Sequence, residues 1–142
     1  MDRVSRLIAE AGLKPTEAIL IHKPSNIFYL SGFTGEGLLA VADGLRAIVT
    51  DFRYTEQAQK QAPGWQVHNI STQVNHIRLA AQLLAQRNTG AVRFEDDYIT
   101  VKSHTAMEAA FDGIPLTPLT QLPEKLRTIK DEQELALIEK AC

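Results

Sequence analysis

The sequence lacks most features that would mark a membrane, secreted or nucleic-acid-binding protein. It has one cysteine, Cys142, at the last position, which can form neither an internal disulfide nor a thiolate metal cluster. No apolar run approaches the ~20 residues that span a bilayer. Met1-Asp2-Arg3 leads directly into an amphipathic pattern rather than a signal peptide. The net charge of -2 gives no reason to expect a phosphate backbone as partner. A cytoplasmic location is therefore expected.

What the sequence does contain is a pair of long apolar runs, residues 38–42 and 45–50, separated only by Asp43-Gly44. An Asp-Gly pair between apolar runs predicts a β-hairpin with a type I′ turn, which needs positive φ at both central residues. Neither run alternates polar and apolar residues, so both faces of these strands should be covered. The remaining residues, in a chain of 142 that is 44% hydrophobic, are enough to supply that cover in one domain.

The rest of the chain predicts helices and strands around this hairpin. A helix with an apolar stripe ends at Gly12, and residues 26–36 are expected to form a loop rich in aromatics and glycine. A later helix should be capped by Ser71 or Thr72. The predicted segments are a helix at 4–11, strands at 18–21, 65–70, 91–94 and 114–116, and helices at 54–62, 74–84 and 100–111, with the strands at 65–70 and 114–116 near the sheet edges. This order predicts an α/β fold with a mixed sheet covered on both faces.

Acidic side chains are the main candidates for chemistry, because the sequence has no Gly-x-Ser-x-Gly elbow and no paired histidines. Asp51 follows the second hairpin strand, and Glu95-Asp96-Asp97 follows a later one. Together they could hold divalent metals for phosphodiester hydrolysis. The alternative is structural, with Asp97 capping a helix and Asp51 pairing with Arg53, and it is favoured because a nuclease needs a basic track. The histidines are expected at the surface or at strand ends: His22, His68, His76 and His104.

The carboxyl terminus predicts that the natural chain continues. Residues 130–142 begin like a helix, with Asp131 as N-cap and an apolar stripe, but no stop signal follows. We therefore expect the 142 residues to be a fragment. Residues 1–125 would form one domain, and residues 126–142 a linker and the start of the next.

Three motifs carry a family resemblance. They read NIFYLSGFTG at 26–35, DFRYTEQA at 51–58 and LRTIKDEQE at 126–134. Their order resembles the amino-terminal domain of the pita-bread metallopeptidases, which include prolidase (Xaa-Pro dipeptidase), aminopeptidase P and creatinase. The resemblance implies a three-layer α/β/α, ribonuclease H-like domain. Its structural motif residues would be Tyr29, Gly32, Asp51, Arg53 and Tyr54. Phe52 replaces a common glycine, and Gly35-Glu36-Gly37 lacks a frequent serine-asparagine pair, which leaves the substrate subclass open.

The resemblance also implies that the two domains of such a protein have different roles. In that family, two metal ions, usually manganese or cobalt, and all catalytic groups belong to the carboxyl-terminal domain, so no catalytic residue, metal ligand or cofactor is assigned to this sequence. The implied role is the non-catalytic part of an Xaa-Pro metallopeptidase, which restricts access to the active site and supports a homodimer. Asn26 and Phe33 would contribute to a lip around the peptide substrate. The alternatives are a free-standing binding module for a small molecule or protein, and a metal-dependent nuclease.

Overall fold

A computed structural model describes residues 2–120 and 122–127 of the chain. They contain six strands and six α-helices, which alternate except where β2 leads directly into β3, and a 3₁₀ turn at Phe52–Tyr54. The strands are β1 Glu17–Ile21, β2 Leu38–Ala42, β3 Leu45–Thr50, β4 Gln66–Asn69, β5 Ala91–Phe94 and β6 Leu116–Pro118. The helices are α1 Arg3–Ala11, α2 Pro24–Ser31, α3 Thr55–Gln61, α4 His76–Ala85, α5 Val101–Ala110 and α6 Leu122–Arg127. No helix in this part of the chain is both long and apolar enough to cross a membrane.

The strands form one mixed sheet in the order β4-β3-β2-β1-β5-β6. The predicted hairpin is confirmed, since β2 pairs antiparallel with β3 and Ala42 lies opposite Leu45. Its turn differs from the type I′ prediction, because Gly44 has φ 74° while Asp43 has no positive φ. Strand β2 is also antiparallel to β1, so the other five strands all run in one direction. Their carboxyl ends meet at one edge, which we call the carboxyl edge.

Helices cover both faces of the sheet, which confirms the three-layer α/β/α prediction. Every residue of β2 is buried, as expected from its lack of alternation. One face packs against α1, α2, α3 and α6, with an apolar core that includes Leu7, Ile27, Phe33 and Leu126. The other face packs against α4 and α5 through a second apolar core, which includes Ala80, Leu84, Met107 and Phe111.

The largest correction concerns the segment after β1. Residues 24–31 form helix α2 rather than a loop. Pro24 occupies the first turn, where its missing N–H costs nothing, and Gly32 ends the helix with φ 86°. The prediction placed this proline before a loop and this glycine inside it. They are instead the start and stop signals of a short helix, whose buried residues Ile27 and Leu30 have helical spacing.

Several element ends also differ from the prediction. Asn75, rather than Ser71 or Thr72, caps α4 by accepting a hydrogen bond from the Arg78 N–H. Thr100, rather than Asp97, caps α5. The last strand is β6 at Leu116–Pro118, two residues later than predicted, and it lies at the sheet edge as expected. The predicted helix at 130–142 lies outside the described residues.

Gly32 and Gly64 offer a matched test of how closely α2 approaches α3. Both adopt a left-handed φ, 86° and 89°. A Cβ at Gly32 would lie 2.8 Å from the Gln61 carbonyl oxygen, whereas a Cβ at Gly64 would meet nothing within 4 Å. Alanine should cost about 1–2 kcal/mol of backbone strain at either position. We expect Gly32→Ala to lower the free energy of unfolding by at least about 1 kcal/mol more, measured by urea denaturation. Equal losses would contradict the close approach.

Candidate functional site at the carboxyl edge

Polar side chains from distant parts of the sequence meet at the carboxyl edge. They lie on described segments that follow β1, β3, β5 and β6, because those parallel strands all end there. Such an edge is the usual place for functional residues in an open α/β sheet.

Glu95 is the buried centre of this edge. It follows β5 directly and is 1% exposed. Its carboxylate accepts hydrogen bonds from the backbone N–H groups of His22, at 2.5 Å, and Lys23, at 2.8 Å. The amide nitrogen of Asn26 donates a third bond, at 2.6 Å. Burial raises the pKa of Glu95, although these three bonds favour the charged form. The carboxylate thereby fastens the end of β5 to the turn between β1 and α2.

Asn26 extends this contact to α6. The residue is fully buried, and its amide nitrogen also donates to Glu124 Oε1, at 2.6 Å. The side-chain oxygen of Asn26 accepts a hydrogen bond from the Arg127 guanidinium group, at 3.0 Å. Burial alone would raise the pKa of Glu124, but hydrogen bonds from Lys23 and Asn26 outweigh it and lower that pKa. Asn26 therefore connects the core of the sheet to the last described helix.

Lys23 holds two carboxylates together above this network. Its ammonium group lies 2.7 Å from Asp97 and 2.8 Å from Glu124. The hydrogen bonds to Asp97 and Glu124 raise the pKa of Lys23. Asp96 accepts a hydrogen bond from the Thr120 N–H at 2.8 Å. Each acid of the cluster 95–97 thus has a protein partner.

Asp51 and Arg53 brace the turn after β3. The Asp51 carboxylate accepts hydrogen bonds from the Arg53 backbone N–H and from its guanidinium group, both at 2.8 Å. The bonds from Arg53 lower the pKa of Asp51. This geometry supports the structural interpretation of the motif, in which Asp51 and Arg53 fix the connection between strand and helix. Between them Phe52 is 80% exposed, so the braced turn presents an aromatic ring to its surroundings.

Phe33 belongs to the segment that follows α2, and its side chain packs into the first apolar core. It is 1% exposed, and its ring meets the Tyr54 ring edge-on with centroids 6.4 Å apart. A Cβ at Gly35 would lie 2.5 Å from the Phe33 ring and 2.7 Å from the Tyr54 ring. Thr34 is tied to α3, since its N–H donates to the Gln61 side chain at 2.9 Å. Phe33 and Asn26 are thus both buried. Their predicted role at a substrate lip is not tested by this placement and stays a prediction.

His22 and His76 are the polar groups with the fewest partners at this edge. Both ring nitrogens of His22 and Nε2 of His76 are buried without a hydrogen bond. Burial, and then the proximity of His76, lowers the pKa of His22 to about 4. His22 lies at a strand end, as expected. No local sequence pattern signals that its ring is buried.

The acids at this edge do not assemble into a metal centre. Within residues 2–120 and 122–127, no group of three or more His, Cys, Asp or Glu side chains could hold a metal ion. Asp51 is engaged by Arg53, while Glu95 and Asp97 belong to the network around Lys23 and Asn26.

Fold and edge together define a three-layer α/β/α domain whose polar edge is occupied by structural hydrogen bonds. The chain belongs to the Creatinase/Prolidase N-terminal domain family, whose model matches residues 2–129. The resemblance drawn from the three motifs is thereby confirmed.

The chain spans about two fifths of the length of the curated relatives that it matches. It is 31% identical over its whole length to the uncharacterized peptidase YqhT of Bacillus subtilis (strain 168) and covers 39% of that protein. It resembles the structure of an Xaa-Pro dipeptidase from Bacillus anthracis, with 30% identity and a TM-score of 0.82, over 96% of this chain and 38% of that one. It also resembles the N-terminal domain of the cytoplasmic peptidase PepQ from Mycobacterium tuberculosis H37Rv, with 32% identity and a TM-score of 0.74, over 87% of this chain and 95% of that one.

The burial of His22 predicts a specific sensitivity to acid. Its folded-state pKa of about 4 lies below the ordinary value of 6.5, so the unfolded chain binds more protons between these values. The free energy of unfolding should therefore fall as the pH drops from about 6.5 to about 4, by up to about 3 kcal/mol from this group.

His22→Gln should flatten that part of the pH dependence in urea denaturation, and His68→Gln, on the edge strand β4, is the control for the loss of one histidine. Only the slope with pH is diagnostic, since the substitution of a buried side chain lowers stability at every pH. An unaltered slope in His22→Gln would show that the ring is protonated in the folded state without cost.

Proposed function

We propose that this chain is the non-catalytic amino-terminal domain of an Xaa-Pro metallopeptidase of the dipeptidase or aminopeptidase P type. The observation that carries the proposal is the coverage pattern. The family model matches residues 2–129, yet the chain spans only about two fifths of YqhT and of the Bacillus anthracis dipeptidase. By contrast, it covers 95% of the PepQ N-terminal domain. A catalytic domain of the same chain would then follow residue 142.

The proposal divides the chain near its last described helix. Residues 1–125 would form the family domain, and residues 126–142 the linker and the start of the catalytic domain. Leu126 packs in the first apolar core, so the end of α6 adheres to the family domain. The two divalent metal ions, manganese or cobalt, would be bound by the following domain. The described residues offer no suitable set of ligands of their own.

The domain would act in the cytoplasm by limiting access to the active site and by supporting a homodimer in which it faces the partner's catalytic pocket. The braced turn at the carboxyl edge supports this role. Phe52 is 80% exposed and is held between Asp51 and Arg53, which hydrogen-bond to each other. An exposed ring on a fixed turn is suited to contact another domain or subunit.

The proposal predicts that activity depends on chain length. Residues 1–142 should neither bind manganese stoichiometrically in calorimetry nor hydrolyse an Xaa-Pro dipeptide. The product of the complete reading frame should do both. Tight manganese binding with peptidase activity in residues 1–142 would contradict the proposal. A reading frame that ends at residue 142 would instead favour the free-standing binding module.

Phe33 and Asn26 would shape the substrate lip from beneath, because both are buried in the domain. Phe33 supports Gly35 and Tyr54, and Thr34 is fixed to α3 by Gln61. The segment 33–37 is therefore held in one position at the edge where the pocket of another domain could meet it. A fixed rim excludes long or folded chains without contacting the reacting bond.

Phe33→Leu should weaken this rim in the complete enzyme. Because a rim contact acts equally on ground and transition states, KM for short Xaa-Pro peptides should rise more than kcat falls, and the preference for short peptides should relax. Phe111→Leu is the matched control, since Phe111 is equally buried but packs on the opposite face of the sheet. If both variants change KM and length preference alike, the lip role is wrong.

A further inference from the structure

Asn26 occupies an unusual position for a neutral side chain. Its single amide nitrogen donates to two carboxylates, Glu95 Oε2 and Glu124 Oε1, both at 2.6 Å. Asn26 is fully buried, and hydrogen bonds to charged groups are worth more than neutral ones. The two carboxylates lie on different elements, one directly after β5 and the other on α6.

The position of α6 depends on apolar contacts and on hydrogen bonds from the Asn26 side chain. Leu126 is buried against the first core, and its carbonyl oxygen accepts a hydrogen bond from the Tyr29 hydroxyl at 3.4 Å. Apolar contacts can slide, whereas the amide of Asn26 requires one position of Glu124, and its carbonyl oxygen requires one position of Arg127. The polar bonds therefore fix the rotation and tilt of a helix with only six residues.

We propose that Asn26 is a positioning residue, which holds α6 against the ends of β1 and β5 and so sets the direction in which the chain leaves the domain. The inference rests on the proposed function, in which a catalytic domain follows α6. It deepens that function by naming the contact that orients one domain relative to the other. Through this orientation, Asn26 would affect the reaction without contacting the reacting bond.

The two carboxylates that bond to Lys23 provide a matched pair of variants. The Lys23 ammonium group bonds to Glu124 and to Asp97 at nearly equal distances, 2.8 Å and 2.7 Å. Glu124→Gln and Asp97→Asn each remove one negative charge next to Lys23. Only Glu124 lies on α6 and contacts Asn26. A difference between the two variants therefore reports the loss of the bonds to Glu124 that hold α6, which we call the tether. It does not report the loss of one negative charge next to Lys23, since both variants share that loss.

Hydrogen exchange in the 142-residue chain tests the tether itself. In Asn26→Ala and in Glu124→Gln, the amides of α6 should exchange at least about tenfold faster, while those of β1 and β2 keep their protection. Asp97→Asn should leave α6 unchanged. If Asn26→Ala does not fold, Glu124→Gln decides. Unchanged exchange in Glu124→Gln, or the same acceleration in Asp97→Asn, would overturn the proposal.

Distances between spin labels in the complete protein test the consequence. One label would be placed at Asp112→Cys and one on the following domain, in a Cys142→Ser background. The distance distribution should broaden in Glu124→Gln, but not in Asp97→Asn, and kcat/KM should fall in the same variant. A merely structural residue would lower the melting temperature without changing the distances, and that result would overturn the proposal. If the complete protein has no peptidase activity but the distances still respond, the proposed function fails and the positioning role stands.

Discussion

The buried carboxylate of Glu95 is the constraint on which the carboxyl edge depends. A charge with 1% exposure is tolerated only where hydrogen bonds replace water, and here two backbone N–H groups and the amide of Asn26 do so. Because the two backbone donors belong to the turn between β1 and α2, the carboxylate holds the start of α2 in place. Asn26, on the first turns of α2, then determines where α6 can pack. The position of α6 at this edge therefore depends on Asn26, and the position of Asn26 depends on Glu95.

The acids at this edge make structural contacts within the domain. Asp51 caps a turn and pairs with Arg53, and Asp97 pairs with Lys23. Each of these carboxylates accepts hydrogen bonds from donors in its own domain. A domain arranged in this way has its strand ends closed by internal bonds. This agrees with a family in which the relatives continue well beyond the matched region.

Local patterns predicted the sheet well and its connections less well. The two apolar runs around Asp43-Gly44 predicted β2, β3 and their burial, because residues that pair in a hairpin are close in sequence. The helix α2 was missed because Pro24 and Gly32 mark both helix ends and loops, and the choice between them depends on what Ile27 packs against. The caps of α4 and α5 were displaced because Ser, Thr, Asn and Asp compete for the same position.

The sequence by itself determined the fold class, the hairpin at the centre of the sheet, and the family through three ordered motifs. All of these depend on residues close together or on their order. Only the tertiary structure decided the roles of Asn26 and Glu95. The hydrogen-bonding partners of the Asn26 side chain lie 69, 98 and 101 residues away. No local pattern specifies such contacts, because they arise only when parallel strands bring their ends to one edge and α6 folds back onto it.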